Sequence, residues 1–348
     1  MRIAQVAPLY ESVPPKYYGG TERVTSYLTE ELVRQGHEVT LFASGDSVTK
    51  ARLVPCTPRS LRLDSECIDR LAHHFVMLEQ VFREAGQFDI IHFHIDYFHF
   101  AWTRRERRPS VTTLHGRLDY PDLVPLHREY LPMPVVSISD SQREPLPWLN
   151  WQSTVYHGLP KDLYQFHPED GKYLAFIGRI SPEKRVDRAI EIAKRLGMKL
   201  KIAAKIDAVD REYFQEEVEP LFNNSCVEYL GEIGEQEKDE FLGNAYALLF
   251  PINWREPFGL VMIEAMACGT PVIAFRMGSV PEVMKDGVTG FIVEDVDGAV
   301  KAVEQIPTLS RLACRRYFDE HFTATRMALD YLNIYRKLIQ EKGEDAVA

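Results

Sequence analysis

Short apolar runs alternate with longer amphipathic stretches along this chain. In the first half the apolar runs are RIAQVAP, EVTLFA, DIIHFH, SVTTLH and PVVSIS, which predict buried strands. Between them, apolar residues recur at helical spacing over Glu22–Gln35, which Gly36 ends, and over Ser65–Ala85, which Gly86 ends. Strands that alternate with helices are typical of a parallel α/β sheet.

The same alternation begins again in the second half. Its predicted strands are KYLAFIG, KLKIAA, CVEYLG, YALLFP, PVIAF and GFIV, with a helix predicted over Glu183–Leu196. The chain closes on a predicted helix, Thr323–Glu341, which no strand follows. Residues Leu159–Gly171 are polar and show no period, which favours a linker. Two parallel-sheet domains in series imply a cleft where the carboxyl ends of their strands meet.

Length and charge limit the class of protein. The 348 residues fit two domains of about 100–200 residues each. A formal net charge of −10 argues against a nucleic-acid partner, which would favour a basic face. One basic run, Arg104–Arg108, departs from this balance. It is interpreted either as a solvated loop or as a contact for an anionic acceptor or lipid head groups, so peripheral membrane contact stays open.

The remaining composition predicts an ordinary cytoplasmic protein. Five scattered cysteines without a Cys-x-x-Cys pair indicate neither a disulfide framework nor a zinc cage. The N-terminus runs directly into a strand and lacks the organisation of a signal peptide. No apolar run reaches 18 residues, so no transmembrane segment is expected.

Two carboxylates stand eight positions apart in EPFGLVMIEAMACGTPVIA. The residue before a proline avoids helical geometry, so Glu256 is expected in a loop and the helix is expected to begin at Pro257 or Phe258. Gly269 ends that helix, which leaves Glu264 near its middle. The plain interpretation is an amphipathic helix with one capping acid and one surface acid.

A ligand-binding interpretation also fits this segment. Backbone N–H groups of Phe258, Gly259 and Leu260 would lie at the positive end of the helix, where phosphate binds well. Glycine would let the ligand approach the backbone closely. With an acid on each side, the segment suits a sugar, a diphosphate and a ribose.

Two further motifs carry candidate phosphate contacts. In GRISPEKRVD, Arg179 and Lys184 follow a predicted strand and could reach a diphosphate, although a surface pair at a helix start is the alternative. In YYGGTERV, Gly19 and Gly20 form a turn before a helix, or simply a flexible loop. This turn lacks the Gly-x-Gly-x-x-Gly spacing of nicotinamide-binding sites.

Histidines cluster at the predicted strand ends of the first half. His115 follows SVTTL and is expected at the carboxyl edge of the sheet, where a structural role is the alternative. His92 and His94 share one face of DIIHFH, and Asp96 follows. No third ligand has convincing spacing, so no metal site is predicted. The two strand histidines are expected to line the cleft or to be satisfied in the core.

The Glu-x7-Glu segment closely resembles the corresponding motif of the family 4 retaining glycosyltransferases, and the other motifs follow in that family's order across nearly the whole chain. The resemblance implies the GT-B fold, with two Rossmann-like parallel-sheet domains facing a central cleft. It implies an acceptor-binding domain at 1–160, a donor-binding domain at 170–320, and a C-terminal helix within 321–348 that packs back on the first domain.

The resemblance also implies roles for the motif residues. Arg179 and Lys184 would stabilise the departing nucleotide diphosphate, and the Gly19–Gly20 turn would bring backbone N–H groups to the distal phosphate. His115 would lie against the donor sugar. Glu256 is assigned to a sugar hydroxyl and Glu264 to the ribose. The predicted catalytic and substrate-binding residues are Arg179, Lys184, Glu256 and His115, with Gly19, Gly20, Phe258, Gly259, Leu260 and Glu264.

The predicted function is retaining hexosyl transfer from a nucleotide sugar to an unidentified hydroxyl acceptor, which could be a small molecule, a glycan or a lipid-linked glycan. UDP-glucose is the most frequent donor in the family and GDP-mannose the next. No cofactor or metal is expected. A sugar-nucleotide epimerase of the same fold and a non-catalytic nucleotide-sugar binder are the alternatives.

Two segments depart from the family pattern. The first half closes with VYHGLP where many relatives have Asn-Gly, and IAAKIDAVD lacks a glycine often found after the second strand of the second half. Both lie where the base and acceptor are expected, so nucleotide and acceptor identity stay open.

Overall fold

The computed structural model describes residues 1–106, 108–223 and 225–345. Of the basic run Arg104–Arg108, Arg107 lies outside the described residues. The chain forms two compact units, residues 1–160 with the chain from Ala324 onward, and residues 161–323. Each unit has its own sheet and its own apolar core.

The first unit contains a seven-stranded parallel sheet in the order β3-β2-β1-β4-β5-β6-β7. Its strands are β1 (Arg2–Val6), β2 (Glu38–Ser44), β3 (Arg52–Thr57), β4 (Ile90–Phe93), β5 (Ser110–Thr113), β6 (Val135–Ser137) and β7 (Trp151–Thr154). The five strands predicted in this half are present. Strands β3 and β7 were not predicted, because both lie at sheet edges, where a strand tolerates proline, as in β3, or polar residues, as in β7.

The second unit contains a six-stranded parallel sheet in the order β10-β9-β8-β11-β12-β13. Its strands are β8 (Tyr173–Arg179), β9 (Leu200–Lys205), β10 (Val227–Gly231), β11 (Ala245–Phe250), β12 (Val272–Phe275) and β13 (Gly290–Val293). All six predicted strands are present. The two sheets share one strand order over six strands, which confirms the predicted pair of Rossmann-like domains.

Five α-helices lie within the described part of residues 1–160, and the first two of them were predicted, with starts at Glu22 and Ser65. They are α1 (Gly20–Arg34), α2 (Arg70–Glu84), α3 (Phe100–Thr103), α4 (Leu123–Glu129) and α5 (Asp140–Arg143). Helix α2 begins five residues after the predicted start at Ser65, because the Asp69 side chain caps it by accepting from the N–H groups of Leu71 and Ala72.

In the described residues the second unit adds seven α-helices, and one more α-helix follows them. They are α6 (Val186–Leu196), α7 (Arg211–Tyr213), α8 (Glu235–Gly243), α9 (Leu260–Cys268), α10 (Val280–Val283), α11 (Val296–Gln305) and α12 (Arg311–His321), followed by α13 (Ala324–Asp345). Helix α13 belongs to the first unit, where it packs against α1. None of the helices in the described ranges is long and apolar enough to cross a bilayer.

The segment predicted as a linker is largely part of the second unit. His167 N–H donates to the carbonyl of Cys268 at 3.0 Å, and Arg311 Nε donates to the carbonyl of His167 at 2.7 Å. Arg315 donates to the carbonyls of Lys161 and Tyr164 at 2.8 and 2.9 Å. The polar composition and missing periodicity of this segment therefore reflect an irregular stretch that hydrogen bonds hold in place, and not a flexible linker.

Strand order places the candidate residues in each unit. In a doubly wound sheet, ligands bind beyond the carboxyl ends of the strands where the order reverses. In the first unit the reversal lies between β1 and β4, and in the second between β8 and β11. Arg179 is the last residue of β8, and Glu256 follows β11 by a short loop.

Candidate functional site

Lys184 and Glu256, predicted separately, form an ion pair in the second unit. Glu256 also accepts a hydrogen bond from Trp254 Nε1 at 3.1 Å and is only 8% exposed. Lys184 Nζ lies 5.0 Å from the centre of the Trp254 ring and 5.5 Å from that of Phe250. The ammonium therefore has a carboxylate and two aromatic faces around it, at or just beyond the carboxyl ends of β8 and β11.

Gly278 and Ser279 hold the loop that carries Glu256 in place. Ser279 N–H donates to the Glu256 carbonyl at 3.0 Å, and its hydroxyl donates to the Phe258 carbonyl at 2.9 Å. Gly278 has φ +56°, and a Cβ there would lie 2.5 Å from the backbone N and O of Glu256. Only glycine permits this close approach, so the contact holds the backbone of the loop in one conformation.

Helix α9 begins at Leu260, so the prediction that it starts at Pro257 or Phe258 is wrong. Gly259 precedes it with φ +79°, a left-handed conformation that cannot continue from a helical turn. In the first turn of this helix, Met262 N–H donates to the Gly259 carbonyl at 3.0 Å, and the backbone N–H groups of the residues before Met262 have no intrahelical acceptor. The positive helix end therefore lies two or three residues later than expected, and an anion could still bind there.

Glu264 is held by a lysine that the sequence analysis missed. Lys238 Nζ lies 2.9 Å from Glu264 Oε1, and Glu264 is 3% exposed. Glu235 lies 3.9 Å from the same ammonium and accepts a hydrogen bond from the Tyr164 hydroxyl. Lys238 stands 26 positions before Glu264 on a different helix, α8, and no local motif signals the pair. The plain interpretation of Glu264 as a surface acid is excluded by its burial.

Arg179 is surrounded by three carboxylates. Its side chain lies 3.1 Å from Asp210, 3.6 Å from Glu183 and 4.0 Å from Asp207. Burial raises the pKa of Asp210, while the charge of Arg179 opposes that change. The segment IAAKIDAVD, which departs from the family pattern, therefore supplies acids that orient Arg179. Nothing in its spacing distinguished it from an ordinary turn.

The Gly19–Gly20 turn precedes α1 in the first unit. Gly19 is buried, and a Cβ there would lie 2.8 Å from Cβ of Pro15. Its carbonyl accepts from Arg23 N–H at 3.1 Å, and Arg23 Nη2 donates to the Tyr17 carbonyl at 2.6 Å. Gly20 is exposed as the first residue of α1. The turn is thus ordered by the helix that follows it.

Glu22, in the first turn of α1, was not identified from the sequence. It is 5% exposed, and burial together with the charge of Glu11 raises its pKa to about 7. Glu11 itself forms an ion pair with Arg62 at 2.8 Å. A carboxyl group that titrates near neutrality beside a glycine turn is a feature of functional sites, and its burial could not be read from helical spacing alone.

His115 lies just after β5 and is half-buried. Its Nε2 is 2.9 Å from His94 Nδ1, and its ring stacks on that of His157 with 5.4 Å between centres. Burial lowers the pKa of His115 to about 3, so the ring is neutral near pH 7. His115 therefore lies at the carboxyl edge of the sheet, where it was predicted.

His92 and His94 are both buried and both hydrogen-bonded to side chains of the first unit. They are therefore satisfied core residues, which was one of the two roles expected for them. Asp96 follows with φ +48°, and burial raises its pKa to about 6. Among the described residues, no group of three or more His, Cys, Asp or Glu side chains could hold a metal ion.

The second unit thus gathers two cations and a helix end beyond its strands, with a buried acid on each side of the helix start. Such an arrangement attracts a polyanion at its centre and hydroxyl groups at its flanks. The electrostatics fit a diphosphate that carries a sugar at one end and a ribose at the other.

Two family models match the chain. The model described as glycosyl transferases group 1 matches residues 164–317, and the model described as Glycosyltransferase Family 4 matches residues 18–144. Each therefore falls within one half of the chain, and together they span most of both units.

Known proteins resemble the chain over most or nearly all of its length. An uncharacterised glycosyltransferase of Methanocaldococcus jannaschii is 26% identical over 99% of this chain and 100% of its own. The D-inositol 3-phosphate glycosyltransferase of Mycolicibacterium smegmatis is 25% identical, with 84% of this chain and 79% of that protein covered. The crystal structure of Anabaena Alr3699/HepE, in complex with UDP and glucose, matches with a TM-score of 0.76 at 16% identity, covering 97% of this chain and 100% of that one.

Proposed function

This chain belongs to the family 4 glycosyltransferases and has their GT-B fold, and from that premise we propose that it transfers a hexose from a nucleotide diphosphate sugar to a hydroxyl acceptor with retention of configuration. The observation that carries the proposal is the Lys184–Glu256 pair beyond β8 and β11. One member suits a phosphate and the other a sugar hydroxyl, so the pair marks the junction at which the donor bond breaks.

The leaving diphosphate is stabilised by Arg179, Lys184 and the start of α9. A forked guanidinium binds two phosphate oxygens, an ammonium adds a point charge, and the helix end adds oriented N–H groups. Asp210 and Glu256 orient these cations through their ion pairs. With the negative charge neutralised by the protein, the reaction needs no metal or cofactor.

Retention follows from attack on the face that the diphosphate leaves. The acceptor oxygen bonds to the anomeric carbon as the bond from that carbon to the phosphate oxygen breaks. The departing phosphate oxygen takes the proton of the acceptor hydroxyl, so no protein base is consumed. Glu256 favours the positive charge that develops on the sugar, since its own charge is buried and close.

The two units take different substrates in this proposal. The second unit holds the donor, with Glu264 on the ribose hydroxyls and Lys238 keeping that carboxylate in place. The first unit holds the acceptor, and the Gly19–Gly20 turn and His115 are its candidate substrate contacts. UDP-glucose is the first donor to test, because UDP and glucose are bound in the HepE structure.

Lys184→Met tests the proposal against a matched lysine. Lys199, which pairs with Glu228 and has a 53% exposed side chain, supplies the control Lys199→Met. With UDP-glucose or GDP-mannose and a panel of hydroxyl acceptors, Lys184→Met should lower acceptor-dependent release of the nucleotide about 10²–10³-fold. Lys199→Met should match the unaltered protein. Equal rates in both variants would contradict the assignment of Lys184.

The same assay separates the alternatives. A sugar-nucleotide epimerase would convert UDP-glucose to an epimer without an acceptor, and a non-catalytic binder would release no nucleotide at all. Nuclear magnetic resonance of the product reports its anomeric configuration. An α-linked product from an α-linked donor is expected, and a β-linked product would refute retention.

A further inference from the structure

A continuous chain of buried hydrogen bonds runs through the first unit to His115. It joins side chains on β1, β4, β5 and α13 with two histidines that follow β4 and β5, and all members except His115 are almost completely buried. In order, its members are Tyr331, Thr113, His92, Tyr335, Gln5, His94 and His115. The six donor–acceptor distances lie between 2.7 and 3.1 Å. His115 is therefore the one member of this hydrogen-bond chain that is partly accessible.

The histidines in this chain are neutral. Burial lowers the pKa of His92, His94 and His115, and it raises the pKa of the hydroxyls of Tyr331 and Tyr335. A neutral imidazole has one N–H donor and one unprotonated acceptor nitrogen. In a linear chain of such groups, the direction of one hydrogen bond fixes the direction of the next.

Gln5 sets that direction. Its Nε2 donates to the Tyr335 hydroxyl at 3.1 Å, which leaves its Oε1 facing His94 Nε2 at 2.7 Å. An amide oxygen only accepts, so the proton of His94 is on Nε2 and its Nδ1 accepts. The hydrogen bond between His94 Nδ1 and His115 Nε2 must then be donated by His115.

We propose that this hydrogen-bond chain holds His115 as its Nε2–H tautomer, so that Nδ1 meets the substrate only as a hydrogen-bond acceptor. Gln5, His94 and Tyr335 are positioning residues, and the group recognised at Nδ1 is a hydroxyl that donates, not a carbonyl or phosphate oxygen. The recognition step rests on the proposed function, since it requires His115 to face a sugar or acceptor hydroxyl. The assignment of the His115 tautomer does not rest on the proposed function.

Reversing this hydrogen-bond chain requires the Gln5 amide to turn over. All the bonds on both sides of the amide would then have to reverse together, because a partial reversal leaves a buried donor or acceptor unpaired. Gln5→Met removes the hydrogen bonds to Tyr335 and His94 and keeps a side chain of similar length. His94 then either buries an unpaired N–H or moves its proton to Nδ1 and leaves only a lone pair unpaired. The second arrangement is the less costly one, and it forces the proton of His115 onto Nδ1.

Histidine ¹⁵N spectra test the tautomer without any substrate. Protein labelled in its imidazole nitrogens gives distinct signals for the Nδ1–H and Nε2–H forms, and His115→Asn identifies the signal of His115. The unaltered protein should show Nε2–H at His115. Gln5→Met should populate Nδ1–H, whereas Gln5→Glu should retain Nε2–H, because it keeps an acceptor towards His94. An Nδ1–H signal in the unaltered protein, or identical spectra for Gln5→Met, would overturn the proposal.

Kinetics then test recognition by Nδ1. Gln5→Met should lower kcat about tenfold, the usual effect of one misdirected hydrogen bond, and leave the affinity for free UDP unchanged, whereas Tyr335→Phe, which keeps the Gln5 oxygen towards His94, should lower kcat less. Tyr173→Phe is the matched control, since its buried hydroxyl donates to the Phe241 carbonyl at 2.7 Å and takes no part in this hydrogen-bond chain. Unchanged kcat with an altered tautomer would refute recognition at Nδ1. Absence of transfer in the unaltered protein would refute the proposed function but leave the tautomer result standing.

Discussion

Glu22→Gln should make the first unit more stable at alkaline pH and leave it nearly unchanged in acid. The carboxyl group is 5% exposed, and burial with the nearby charge of Glu11 raises its pKa from 4.5 to about 7. Because the folded pKa exceeds the unfolded one, the native state holds the proton more tightly. The free energy of unfolding therefore falls as pH rises from about 4.5 to about 7, and the loss is complete above that window.

The size of the effect follows from the shift. A difference of 2.5 pKa units, at about 1.4 kcal/mol per unit, corresponds to about 3 kcal/mol of stability lost when Glu22 ionises. Glutamine has nearly the same shape and no charge, so the variant avoids this loss. At pH 8 its free energy of unfolding should exceed that of the unaltered protein by up to about 3 kcal/mol, and at pH 4 the two should nearly agree.

Urea unfolding over a pH series measures the difference. In a Trp254→Phe background the remaining tryptophans, Trp102, Trp148 and Trp151, all belong to the first unit, so fluorescence reports that unit. Glu31→Gln, on the same helix, is the control, because the opposite change in the free energy of unfolding is expected for it. Burial alone would raise the pKa of Glu31, but hydrogen bonds from Arg34, Gln35 and Thr325 lower it, so its removal should cost stability at neutral pH. A Glu22→Gln variant that is less stable at pH 8 would refute the reasoning.

Three further outcomes concern the donor site. Glu264→Gln should weaken the binding of free UDP or GDP by about 1–3 kcal/mol in calorimetry, the size of a lost charge-assisted hydrogen bond, and unchanged affinity would remove Glu264 from the site. Glu256→Ala should lower kcat about 10²–10³-fold while affinity for the bare nucleotide persists, because Lys184 loses a competing carboxylate but keeps its position over Trp254. Activity should survive EDTA, and a loss that Mg²⁺ or Mn²⁺ restores would contradict stabilisation of the leaving group by the protein alone.

The sequence was sufficient wherever the relevant contacts are local. Alternating periodicity predicted two parallel sheets, and eleven of the thirteen strands in the described residues were identified. The spacing of Glu256 and Glu264 placed one acid in a loop and the other on a helix, as the structure has them. The helix start was missed because a left-handed glycine looks like any other glycine in the sequence, and Gly259 takes that conformation only with Gly278 and Ser279 packed beneath the loop.

Pairings between distant segments were beyond the reach of the sequence. Lys238 and Glu264 meet across two helices, Asp210 and Arg179 across two strand ends, and Gln5 meets Tyr335 over a separation of 330 positions. Periodicity reports which face of an element is buried, but not which polar group from elsewhere will satisfy a buried one. The sequence by itself therefore determined the element order, the strand ends and the kinds of chemical group at them. Tertiary packing alone decided which charges neutralise one another and on which nitrogen His115 carries its proton, because both depend on burial and on partners that only the folded chain brings together.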